Sequence, residues 1–113
     1  MIVKKADEVP GQEMHLEGAS GVTFRALISE GEGAPNFLMR QFDLAPDGYT
    51  VRHSHPWEHE IYVLAGSGVV VAAEDETAVS TGACILISPD EEHQMRNVGR
   101  EQLKFLCLVP RTR

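Results

Sequence analysis

Gly48-Tyr-Thr-Val-Arg-His53-Ser-His55-Pro-Trp-Glu-His59-Glu60-Ile-Tyr-Val-Leu-Ala-Gly66 is the most telling part of this chain, because it sets three histidines close together in a strand-rich segment. A fourth, His93, follows downstream, and only His15 of the five histidines lies elsewhere. Imidazole binds first-row transition metals through a neutral ring nitrogen, so four histidines with no matching cysteine cluster point to Mn, Fe, Ni, Cu or Zn and not to a thiolate finger. In an extended chain residues two apart share a face, which turns His53 and His55 to one side. His59 keeps the same parity, although Pro56 and Trp57 interrupt the strand between them.

Outward from this stretch the chain reads as all-β. No segment sustains a 3.6-residue apolar period. Short runs of β-branched and aromatic residues alternate instead with Gly, Pro and Asp punctuation. The pattern predicts strands at Val22–Ile28, Phe37–Leu44, Tyr49–His55, Glu60–Ala65, Gly68–Ala73, Glu76–Val79, Cys84–Ile87, Gln94–Asn97 and Leu103–Val109. Turns are expected at Ala45–Gly48, Gly66–Gly68, Thr81–Gly82 and Pro89–Glu92. So many short strands favour a closed or nearly closed barrel, which hides the strand edges.

At 113 residues the chain is expected to form one domain, 1–113, with a single core. A net charge of −7 without a local basic cluster argues against nucleic acid and acidic membrane surfaces as partners. No apolar run approaches the ~20 residues of a membrane span and the N-terminus lacks a signal-like apolar core, so a cytoplasmic location is expected. Cys84 and Cys107 sit in apolar strands and are read as buried, inert thiols, with Cys107 a candidate for approach to the metal pocket. No nucleophile elbow, phosphate-cradling glycine loop or dinucleotide fingerprint is present, so any chemistry must run through the metal.

Two motifs resemble those of the cupin superfamily, small jelly-roll (double-stranded β-helix) barrels that hold a metal inside. Motif one, residues 48–66, comprises Gly48, His53-Ser-His55, Glu60 and Gly66; motif two, residues 82–97, comprises Gly82, Pro89, His93 and Asn97. In motif two the usual Pro-x-Gly is replaced by Pro89-Asp90-Glu91. Within the superfamily the run His-Ser-His-Pro-Trp-Glu-His-Glu resembles a small manganese-containing subgroup with four histidine ligands. That resemblance implies His53, His55, His59 and His93 as ligands, one divalent metal per chain with Mn favoured and Fe, Ni or Zn as alternatives, and a homodimer. The commoner three-His, one-Glu cupin sphere would use Glu60 in place of His59; the two adjacent residues should point to opposite faces, and parity favours His59.

Trp57 is expected either to wall the pocket or to pack as a lid, while Glu58 and Glu60 are candidates to orient imidazole N–H groups. Met39 and Gln41 are candidate pocket liners, and His15 is expected to be exposed. The resemblance implies a small-molecule ligand and, as the leading activity, a Mn- or Fe-dependent oxidoreductase of dioxygenase type. A metal-dependent isomerase or lyase and a non-catalytic binding module are the alternatives.

Overall fold

The computed structural model describes residues 1–112. Its strands are β1 (Gln12–Glu13), β2 (Ser20–Ile28), β3 (Phe37–Tyr49), β4 (His59–Ala65), β5 (Ser67–Ala72), β6 (Asp75–Ser80), β7 (Cys84–Ile87), β8 (His93–Arg96) and β9 (Leu103–Pro110). All pairings are antiparallel, in the order β6-β5-β8-β3-β9-β4-β7, with β2 on β3 and β1 on β2. The sheet curls on itself as the expected jelly roll. Among the described residues no helix is long and apolar enough to cross a membrane.

Alternation fixes which side chains face inward. β9 alternates buried and half-buried residues throughout, and β4 buries His59, Ile61 and Val63. The register then aligns the two strands with β3: Cys107 lies opposite both Arg40 and Ile61, and Phe105 opposite both Phe42 and Val63. Leu44, Val63 and Leu103 have no exposed surface, and the Phe42 and Phe105 rings stack at 5.3 Å in the same core cluster. Asn97 of motif two is buried at the base of this core. Its Nδ2 donates to the Leu44 and Glu101 carbonyls, and its Oδ1 accepts from the Gly99 N–H.

The motif glycines have steric reasons. A Cβ at Gly66, where φ is +88°, would sit 2.5 Å from the Gln102 carbonyl oxygen. One at Gly48 would lie 2.8 Å from the Ala45 carbonyl oxygen.

Three expectations are corrected. The segment Tyr49–His55 is not a strand: β3 runs on to Tyr49 through a bulge, because Leu44 pairs with Val22 while Tyr49 pairs with Ser20, and Asp47 within it adopts a φ of 66°. Cys84 is exposed, since β7 turns it to the outer face. Met39 and Gln41 do not line the inner cavity. Met39 lies in an outer groove with Glu60, Tyr62 and Leu86, and Gln41 donates to the buried Asp43, which also pairs with Arg25.

Candidate metal centre

The backbone brings the histidines together from three places. His53 and His93 face each other in an isolated antiparallel bridge, exchanging N–H···O bonds of 3.2 and 2.9 Å, so their side chains leave on the same side. His55 is tied to the turn before β8 by the Asp90 N–H, which donates to its carbonyl at 2.8 Å. His59 opens β4 and points inward, whereas Glu60 is exposed and faces the outer groove. His15 lies apart and exposed, beside Glu13.

Ligand atoms of His53, His55 and His93 lie within 4.8 Å of one another, a group able to hold a metal ion. His59 falls outside that mutual limit, yet its Nε2 is 2.5 Å from Nε2 of His55 and its ring centroid is 5.0 Å from that of His93. Five ring pairs among the four imidazoles have centroid separations of 4.3 to 5.1 Å. The centre is thus a tight three-histidine group with a fourth imidazole packed against two of its members.

Hydrogen bonds set the tautomers. A carbonyl can only accept, so Nδ1 of His55, 3.0 Å from the Trp57 oxygen, carries the proton, as does Nδ1 of His93, 2.8 Å from the Glu91 oxygen. Both rings therefore turn a bare Nε2 inward, the form that binds metal. Backbone carbonyls do the orienting expected of Glu58 and Glu60, both of which are exposed. Nδ1 of His59 lies 2.8 Å from Cys107 Sγ and 3.4 Å from Arg40 Nη2, and the same Nη2 donates to Sγ at 3.1 Å. When His59 Nδ1–H donates to the sulfur, its Nε2 is also bare.

Three of the imidazoles, those of His53, His55 and His59, are shifted towards the neutral form. Burial pushes His59 from 6.5 down to about 3, with the positive potentials of His55 and Arg40 acting the same way. His53 is lowered by burial and then by His93; His55 is lowered by burial, partly offset by its bond to the Trp57 carbonyl. Burial raises the Cys107 thiol against the opposing pull of Arg40. The donor set thus suits a divalent transition metal, and it contains no carboxylate to cancel the ion's charge.

The four histidines line a cavity of about 460 Å³. Phe42, Ile61, Met95 and Phe105 supply apolar walls, and Trp57 lies parallel to His55 at 4.5 Å, both stacking on the centre and lining the cavity. Sequence reading missed two parts of this lining. Met14, Leu16 and Ala19 from the N-terminal segment close one side, and Arg40 reaches in from β3 beside Cys107. The signal for Arg40 was its shared parity with Phe42.

Residues 40–109 match the family model for the cupin domain, Cupin_2. Among solved structures, the polyketide cyclase RemF from Streptomyces resistomycificus is 33% identical with a TM-score of 0.91, over 97% of this chain and 79% of that one. Among curated proteins, the chain is 27% identical to auxin-binding protein 1 of Arabidopsis thaliana, over 97% of this chain and 59% of that protein. It is 29% identical to 1-methylthio-D-xylulose 5-phosphate methylsulfurylase of Rhodospirillum rubrum, over 75% of this chain and 54% of that enzyme. The chain therefore spans little more than half the length of these two relatives.

Proposed function

The chain belongs to the cupin family, and we propose that it is a metal-dependent enzyme of that family which promotes enolate chemistry on a small, largely apolar carbonyl compound. The observation that carries this reading is the convergence of four imidazoles, with no carboxylate among them, in a largely apolar cavity. In this reading His53, His55, His59 and His93 hold one divalent transition metal, Mn by resemblance, with Fe, Ni or Zn as alternatives. Bound there, such an ion supplies Lewis-acid stabilisation of a developing oxyanion.

The chain's own residues do the rest. The Trp57 and Glu91 carbonyls hold the His55 and His93 rings in register, and Cys107 does so for His59. Phe42, Phe105, Met95 and Trp57 exclude water from the bound carbon skeleton, which strengthens every electrostatic interaction at the reacting oxygen. Similarity to a polyketide cyclase supports a non-redox reaction at this site.

The oxygen-dependent oxidoreductase expected from the sequence would use the same residues, and the exposed edge of the centre at His53 favours it by leaving a path for O₂. Deuterium exchange into the methyl group of acetophenone, followed by NMR, separates the two. Under the enolate reading, Zn- and Mn-loaded protein accelerate exchange equally with and without oxygen. Oxygen uptake confined to the Mn or Fe form, with no exchange in the Zn form, would establish the oxidoreductase instead.

We also propose a homodimer, because Tyr62 and Leu86 expose apolar surface on one outer face. Light scattering should give twice the 12.4 kDa chain mass.

A further inference from the structure

Among the described residues Arg40 is the one lysine or arginine lining the cavity, and its charge is poorly matched. Among the described residues no carboxylate pairs with it. Its Nη2 contacts only Cys107 Sγ and His59 Nδ1, a weak acceptor and a neutral ring, and the guanidinium carbon lies 5.2 Å from the centroid of Phe42. Its Nε is buried with no hydrogen-bond partner. Among the described residues the only carboxylate in the cavity lining, Glu17, is exposed.

A guanidinium taken out of water costs free energy unless an anion or a full set of acceptors replaces its hydration. The chain holds seventeen acidic residues against ten basic ones, so acidic side chains are plentiful, yet among the described residues none forms an ion pair with Arg40. The planar fork of arginine matches carboxylate oxygens two at a time. Arg40 also lies 3.4 Å from Nδ1 of His59 and lines the same apolar chamber.

We propose that Arg40 is the recognition residue for an anionic oxygen headgroup, a carboxylate in the first instance, on a ligand whose apolar or aromatic body fills the cavity between Trp57, Phe42 and Phe105. The guanidinium turns from Cys107 to the incoming carboxylate, and the unpartnered Nε gains an acceptor. This names the substrate class for the site proposed above and rests on that cavity being the binding chamber. It does not require turnover.

The test uses benzoate and its uncharged isostere benzamide as probes. Each is titrated calorimetrically into metal-free and zinc-loaded wild-type protein, Arg40→Gln and Arg40→Lys. Wild-type protein should bind benzoate about tenfold or more tightly than benzamide in both forms, the scale of a charge-assisted pair. Arg40→Gln should abolish the preference, and Arg40→Lys should keep part of it. In wild-type protein, benzoate and not benzamide should shift the Arg40 Nε–H resonance, a readout that stands even if a variant fails to fold.

A preference that survives in Arg40→Gln, or an unmoved Nε–H resonance, would overturn the proposal. A preference seen only with zinc and indifferent to Arg40 places the anion on the metal, which overturns the role of Arg40 and leaves the metal-dependent reading intact. Arg40-dependent preference in metal-free protein, alongside zinc-loaded protein without exchange activity, supports the headgroup site while removing the enolate reading.

Discussion

Replacing His59 by Gln should flatten the acid sensitivity of the metal-free protein. His59 is 7% exposed and burial holds its pKa at about 3, so it stays neutral in the fold across the mildly acidic range. In the unfolded chain the same ring titrates near 6.5. Below that value the unfolded state binds a proton that the folded state refuses, so stability falls as pH drops from 6.5 towards 3 and changes no further below it. At pH 5 the unfolded ring lies roughly 1.5 units below its pKa, and at ~1.4 kcal/mol per unit the loss between pH 7 and 5 is about 2 kcal/mol. His53 and His55 are shifted in the same direction and add to it.

Urea denaturation of metal-free wild-type protein at the two pH values measures the total. The same pair of curves for His59→Gln isolates the ring, because carboxylates and the remaining histidines are common to both. The pH-dependent loss should shrink by about 2 kcal/mol in the variant. Equal losses in the two proteins would refute the claim that His59 is held neutral by burial against its neighbours.

Two further outcomes follow from the same geometry. Cys107→Ala removes the sulfur 2.8 Å from His59 Nδ1 and should weaken zinc binding about 10- to 100-fold in a chelator competition, with the fold retained by circular dichroism; unchanged affinity would show that the thiol does not orient the ring. Asn97→Ala strands the Leu44 and Glu101 carbonyls and the Gly99 N–H, and should cost about 3 kcal/mol in urea denaturation without altering metal affinity per folded molecule.

The parts of the site that depend on short-range spacing were legible in the sequence. The inward turn of His59 with Glu60 outward follows from parity within β4, whereas His53 and His55, whose segment is not a strand, are brought together by the bridge of His53 to His93 and the Asp90 N–H on the His55 carbonyl. Strand β3 defeated the same reasoning. Gln41, Phe42, Asp43 and Leu44 are all buried, since Asp43 and Gln41 are covered on the outer side by their own hydrogen-bonded pair and by Arg25. With both faces buried, alternation vanishes, and the side chains that line the cavity are Arg40 and Phe42, not the expected Met39 and Gln41.

The groups that orient the imidazoles were hidden for another reason. They are the backbone carbonyls of Trp57 and Glu91, present at every residue and carrying no side-chain signature. The turn expected at Ala45–Gly48 is instead a bulge within β3, which resumes pairing at Tyr49. The N-terminal wall of Met14, Leu16 and Ala19 depends on long-range packing that local pattern does not encode.

Metal content of His59→Ala and Glu60→Ala, purified without an affinity tag and measured by elemental analysis, tests the centre most directly. His59 points into the four-imidazole cluster and Glu60 into the outer groove, so Glu60→Ala should retain one metal ion per chain while His59→Ala loses most of it. Retention in His59→Ala with loss in Glu60→Ala would contradict the four-histidine centre and the cavity chemistry built on it.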